Sequence, residues 1–489
     1  MAAKVNIRQL ENVGGPGLQL VSKQDGSWGV QSVSASKTYT YVDPINGDNT
    51  TAIVGSKELP FKDPWAAVDA IESLPSSQEY TLFWLPGEYT VGDDAGNLKV
   101  TTNVAEGNLH SNTHVINHYL FRGAKLEVVT NATNVSLFIP ATGQNTKIRL
   151  IGEGSLIHNR EAASGLLGAF LDDTGLTDSE TVDLVLHAND IQLSGATWGP
   201  YMTSRRHIDA DIRVHEIANS AIQTLLYVSP NATVAEIEAN ISIKADKISG
   251  TQSELIRTVG NTAATQGIVD STIDIDFKSV DITASGALVN IYRTLITNSV
   301  IQTKIGGKAT RGGASGSLVN IQESPLVDST ATIQYEGLIT DLDTISRIDT
   351  VSTDASPHPT NNNQITVIIK NLLAELNGSQ GSTPLINYIY DSAQLGTKVD
   401  IHVDAVLNDR LFFTLRENQD VTITGNIKSN GTASPILIGE ALTDDANYKK
   451  LLKDLFIDAA TPIDVNGYTG SKIYTANYTD RNSVTVTTL

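Results

Sequence analysis

The sequence predicts an all-β fold in which parallel strands stack coil upon coil as a solenoid, and three observations lead there. Charged residues make up only 18% and aromatics 6% of the 489 residues, with two Met and no Cys. Gly, Ser, Thr, Asn, Ile and Val are plentiful instead, which is the usage of strands joined by many turns. A strand of alternating apolar residues also recurs, clearest at Val182-Asp-Leu-Val-Leu-His, Ile208-Asp-Ala-Asp-Ile-Arg-Val, Ile237-Glu-Ala-Asn-Ile-Ser-Ile, Val269-Asp-Ser-Thr-Ile-Asp-Ile and Val327-Asp-Ser-Thr-Ala-Thr-Ile. The starts 182, 208, 237 and 269 are 26, 29 and 32 residues apart, and the step of 58 to 327 holds an intermediate copy at Ile296. A strand-type repeat of this length means a solenoid or a propeller, and propeller blades run nearer ~40 residues with aromatic signatures.

Residues 1–38 read as an extended arm. Gly14-Gly15-Pro16-Gly17 breaks any regular element, and the apolar residues on either side (Ile7, Leu10, Leu18, Leu20, Trp28) cannot make a core of their own. The arm is expected to be held by a neighbouring protein through those residues, the alternative being that it folds back on its own chain.

Residues 39–120 read as an opening unit. Asp63 suits a helix N-cap and Pro64 the first helical position, while Ala67, Val68, Ile71 and Leu74 fall on one face. Leu82 to Leu85 reads as a buried strand ended by the turn Pro86-Gly87, and the helix would cover the first open coil. The passage Tyr41-Val-Asp-Pro-Ile-Asn-Gly-Asp, Pro60-Phe-Lys-Asp-Pro-Trp-Ala-Ala-Val and Pro86-Gly-Glu-Tyr resembles the start of pectate-lyase-like right-handed parallel β-helices, especially the tail-spike and fibre proteins of tailed bacteriophages. As motif the resemblance covers roughly residues 40–92. It implies a right-handed parallel β-helix and, by the habit of such spikes, a homotrimer.

Residues 121–440 are expected to form the solenoid, with second runs such as Leu225-Leu-Tyr-Val, Ala287-Leu-Val-Asn-Ile and Pro384-Leu-Ile-Asn-Tyr-Ile making another sheet of the same coils. In residues 441–489, Thr443 reads as an N-cap, and Tyr448, Leu451, Leu452, Leu455 and Phe456 make an apolar stripe opposite Lys449, Lys450 and Lys453. A terminal helix is expected there, followed by a small β segment from Ile473 that could pair with a neighbouring subunit.

Three constellations could carry chemistry. Registering the repeats on Leu186, Ile212, Ile241 and Ile273 stacks Asp183, Asp209, Glu238, Asp270 and Asp328 in one outward column, interrupted by Thr297. Stacked like charges about 4.8 Å apart repel, so a divalent cation, a basic group such as Arg213 or Lys244, or a partner could offset them; a solvated edge is the plainer reading. The run Trp198-Gly-Pro-Tyr-Met-Thr-Ser-Arg-Arg combines aromatics with cations, so Trp198, Tyr201, Arg205 and Arg206 are the candidate glycan contacts, against a packed structural loop. Same-face carboxylates (Asp209 with Asp211, Asp274 with Asp276) have spacing a glycosidase could use, as does Asp400-Ile-His-Val-Asp404, but an acidic chain makes such pairs without catalysis.

The net charge of −20 and pI near 4.8 disfavour nucleic acid. No apolar run is long enough to cross a bilayer, and the N-terminus lacks a signal-peptide core, so synthesis in the host cytoplasm and release by lysis are expected. Without Cys there is no thiol chemistry. The ordered N-T-D, D-D, G-H-G and R-x-K elements of polygalacturonase-like members do not occur together, and no cofactor motif is found. The expected function is therefore a structural virion fibre or spike of a tailed bacteriophage, attached through the arm and touching the host surface. A polysaccharide depolymerase on the same scaffold and a bacterial surface adhesin are the alternatives.

Overall fold

The computed structural model describes residues 18–22, 28–32, 37–74, 79–92, 109, 111, 114–130, 136–140, 145–160, 168–173, 180–195, 199–220, 223–230, 235–252, 254–260, 266–284, 286–311, 316–342, 344–349, 362–375, 384–389, 397–415, 420–438, 450–464, 473–476 and 479–480. Among them one helix occurs, Pro64–Glu72, and most of the rest is strand. Asp63 caps the helix as expected, its carboxylate accepting from the Ala66 amide at 2.8 Å, and Trp65, Ala67, Val68 and Ile71 are buried.

Parallel pairing dominates. Long strands at Thr181–Gly195, His207–Asn219, Ala239–Gln252, Thr272–Ala284, Val300–Arg311, Thr330–Thr340, Gln364–Glu375, Lys398–Asn408, Asp420–Asn430 and Lys450–Asp458 pair each with the next in sequence. An 11-stranded sheet takes one short strand from each passage of the chain, from Leu171–Asp173 to Ile463–Asp464, and includes the second runs at Gln223–Val228, Ala287–Tyr292 and Ile386–Ile389. A third, four-stranded sheet is formed by Glu236–Ile237, Gly267–Val269, Leu295–Thr297 and Leu326–Val327. Each long strand alternates inward apolar with outward polar residues, and the inward ones join a single core.

The long strands bend, and the bend shifts the alternation by one residue. Inward residues are three apart there: Ala188 and Ile191, Val214 and Ile217, Ala245 and Ile248, Phe277 and Val280, Ile369 and Leu372. In the earlier passages the same edge is an interruption, as between Glu79–Trp84 and Gly87–Gly92, where Pro86-Gly87 makes the turn.

Three expectations are corrected. Residues 450–458 form a strand, not a helix: Leu452 and Leu455 are both inward because the bend between them, where Asp454 stands at a left-handed φ of 47, adds one residue to the alternation, and that extra residue mimics helical spacing. The stack therefore runs past residue 440, and Ile473–Ala476 and Thr479–Asp480 pair with this chain's own Lys450–Asp458. Phe83, read as part of a buried run, faces outward in a strand of alternating burial. At the other end, Leu18–Ser22 and Trp28–Ser32 form an antiparallel hairpin, and Ile7 and Leu10 lie outside the described residues.

Candidate functional site

The outward face of the long sheet is a grid of side chains set by the pairing register. One row runs Tyr41, Phe83, Tyr119, Ile151, His187, Arg213, Lys244, Asp276, Lys304, Gln334 on successive strands. Its beginning is aromatic. Phe83 stacks against Tyr39 and Tyr41 with ring centroids 5.5 and 5.3 Å apart, and meets Tyr119 and Phe121 at 5.7 and 5.6 Å. Phe121 and Ile151 are 36% and 37% exposed, so the strip has an open apolar margin. The alternation Thr38-Tyr-Thr-Tyr41 was the available sequence signal, but only the register brings these rings together.

The middle of the grid is ionic. Arg149 pairs with Asp183 and also donates to its main-chain oxygen at 3.0 Å. Asp211 accepts from Arg213 at 3.0 Å and lies 3.2 Å from His187 Nε2. Burial alone would push the Asp211 carboxyl up, but the hydrogen bonds from Arg213 and His187 outweigh it and hold the group below its usual range. Lys244 sits 3.5 Å from Asp274. At the bend, Asp246 accepts from Lys278 at 2.5 Å and lies 3.1 Å from His215.

The acidic column is split by this register. Asp183 and Asp209 are partners, but the next position is Asn240. Ile212 pairs with Ile243, not Ile241, because a two-residue slip keeps every side chain on its own face and leaves the hydrophobic pattern unchanged. Glu238 lies between two strands, its carbonyl accepting from the Ile208 amide at 2.9 Å. Asp270 occupies a left-handed corner with φ 49, followed in the next two passages by Asn298 and Asp328 at φ 48 each, and it accepts from the Asn298 side chain. Among the described residues no group of three or more His, Asp or Glu is arranged to hold a metal ion.

The Trp198 run is not a surface loop where it is described. Gly199–Ser204 is a fully buried strand of the second sheet; Tyr201 packs 5.3 Å from Phe170 and 5.6 Å from His158 in the core. Arg206 is also buried, Arg205 is half-buried, and Trp198 lies outside the described residues. Asp400, His402 and Asp404 do share an outward face, with His402 Nδ1 2.7 Å from Thr424 Oγ1 and Asp400 accepting from Gln364 at 2.7 Å, a hydrogen-bonded surface.

Two open grooves flank the bend. One, of about 350 Å³, is lined by Asn189, Asp190, Gln192, His215, Glu216 and Ala218. The other, of about 490 Å³, is lined by residues that include Lys278, Lys304, Gly306, Gly307, Gln334 and Glu336. In the first, Asp190 and Glu216 are register partners on neighbouring strands. Lys247, 2.6 Å from Glu216, holds that carboxyl below its usual range. Neither a protein-family profile, nor a curated protein, nor a solved structure matches the chain.

Proposed function

We propose that the chain is a right-handed parallel β-helix serving as a non-enzymatic fibre or spike of a tailed bacteriophage virion, mounted through residues 1–38 and touching the host surface with the outward face of the long sheet. The observation that carries this reading is the continuous parallel pairing of long strands from Thr181 to Asp458, shifted only locally at the bend, which makes a long shaft with a mostly polar outward face. The opening unit, with its capped helix and Pro86-Gly87 turn, supports the family resemblance. Homotrimeric assembly is part of the proposal. The aromatic strip supports contact between copies near the mounted end, since rings stacked on one another offer their edges outward and cover little of a sugar face.

A depolymerase is the second reading, favoured only by the Asp190 and Glu216 pair, whose strand spacing of about 4.8 Å is near that of a retaining glycosidase. Glycoside cleavage needs one carboxyl that is protonated to act as the acid and one that is ionised to act as the nucleophile, and Glu216, held low by Lys247, fits only the second role. The deciding experiment is sedimentation of the purified full chain followed by incubation with host surface polysaccharide. A trimer that leaves the polysaccharide at its original length supports the spike; shortened products establish the depolymerase. A truncation lacking residues 1–38 that still enters virions at normal occupancy removes the anchor assignment.

A further inference from the structure

Among the described residues the histidines divide by the way they face. His187 and His215 stand on the outside of the stack beside carboxylates, 3.2 Å from Asp211 and 3.1 Å from Asp246. His114, His118 and His158 are buried instead, all in the early passages of the chain.

His118 is held most specifically. Its register partners are Leu82 on one side and Leu150 on the other, so an imidazole takes a place in a row of inward aliphatic side chains. Trp84 donates its indole N–H to His118 Nδ1 at 3.2 Å. An indole nitrogen can only donate, so Nδ1 must be the unprotonated acceptor, and the neutral ring carries its proton on Nε2. Trp84 and Phe138 enclose the ring, with centroids 5.8 and 5.3 Å away, and Trp84 packs in turn against Tyr89 at 5.0 Å.

The charged groups on the strands around it are turned away. Glu79 faces outward on Glu79–Trp84 and accepts from Asn117, and Lys147 and Arg149 face outward on Thr146–Gly152. Glu88, Lys125 and Glu127 do the same on Gly87–Gly92 and Ala124–Thr130, as does Tyr119 on the strand of His118 itself. The described titratable groups that face inward here are Tyr80, Tyr89, His114 and His158. The Tyr89 hydroxyl is engaged by the Val42 and Leu85 carbonyls, and His114 Nε2 lies 3.1 Å from the Leu74 carbonyl oxygen.

We infer that His118 is an acid-sensitive latch on the opening coils. A proton taken up at Nδ1 sets two N–H donors against each other where Trp84 now donates, and it charges a ring buried in an apolar row, so protonation is coupled to opening of Glu79–Trp84, Val115–Leu120 and Thr146–Gly152. In the opened strands the imidazole takes its proton near the ordinary value of about 6.5. The closed form's advantage is therefore complete above that pH and falls by about tenfold for each pH unit below it. His187 and His215 respond in the opposite sense, because charging them completes ion pairs with Asp211 and Asp246. Acid thus loosens the end of the stack that follows the arm and spares the later passages.

Hydrogen–deuterium exchange of the full chain at pH 7.5, 6.0 and 5.0, corrected for intrinsic rates, reads this directly. Peptides covering Glu79–Trp84 and Val115–Leu120 should lose protection about tenfold between pH 6.0 and pH 5.0. Thr330–Thr340, which has no histidine on it or on the strands paired with it, should not change. In His118→Gln the amide oxygen still accepts from Trp84 but nothing titrates, so protection of the opening strands should be the same at all three pH values. Unchanged protection of the unmodified opening strands at pH 5.0 overturns the inference, and so does a loss that survives His118→Gln. Should His118→Gln fail to fold, a chain with both His114→Gln and His158→Gln decides: it should keep the whole acid loss, and disappearance of the loss would move the latch to those residues.

Discussion

Leu452 and Leu455 both point into the core although only two residues separate them, a spacing that strict alternation would put on opposite faces, and Asp454 between them stands in the left-handed region at φ 47. The same inward spacing of three recurs at Val214 and Ile217, so the bend is a property of the stack and not of one strand.

Corner residues in left-handed conformations should tolerate glycine and resist β-branching. Asp328, at φ 48, is the cleanest case. Asp328→Gly should shift the denaturant midpoint little, whereas Asp328→Val should cost about 1–2 kcal/mol of strain. Equal midpoints for the two variants would show that the corner relaxes freely.

Tyr201 separates a core role from a glycan role. Its ring is fully buried against Phe170, and its hydroxyl is buried without a hydrogen-bond partner among the described residues. Tyr201→Phe should therefore leave stability unchanged or raise it, and Tyr201→Ala should cost about 3–5 kcal/mol in an unfolding titration. A Tyr201→Ala chain that keeps its midpoint but loses glycan would restore the surface assignment.

Asp211 should contribute to acid sensitivity. Its folded pKa lies below its unfolded value of about 3.9, so the stabilisation is complete above that pH and is lost as pH falls through the folded value. Denaturant midpoints measured from pH 6 to pH 2 should be flat for this group above about pH 5 and decline below about pH 4, and Asp211→Asn should flatten part of the decline. An acid limb of the same size in the variant would assign it to other carboxylates.

Calcium should not stabilise the protein through the expected acidic column, since Asp183 is engaged by Arg149 and Asn240 follows Asp209. Thermal unfolding with chelator and with millimolar calcium should coincide. A saturable rise in midpoint with calcium would require ligands other than that column.

The aromatic margin offers a test of assembly. Phe121→Ser with Ile151→Ser removes the exposed apolar edge beside Phe83 and Tyr119. Sedimentation should then report dissociation of the proposed trimer; an undisturbed trimer would place the contact between copies on another face.

Local chemistry was enough for much of this fold. The alternation in Val182-Asp-Leu-Val-Leu-His and its copies determined which side chains are buried, and Asp63-Pro64 determined where the helix begins. The choice of partner across strands was not local. Shifting a strand by two residues preserves every inward and outward position, so Ile241 and Ile243 are equivalent to the pattern but not to the packed stack. That choice decided that Asp183 and Asp209 adjoin while Glu238 and Asp270 lie elsewhere. It also brought Tyr41, Phe83 and Tyr119 into one strip and set Lys304 beside Gln334. Burial is set by the period of a single strand, whereas a site on a stacked sheet depends on register, which only packing between strands and the geometry of the corners can select.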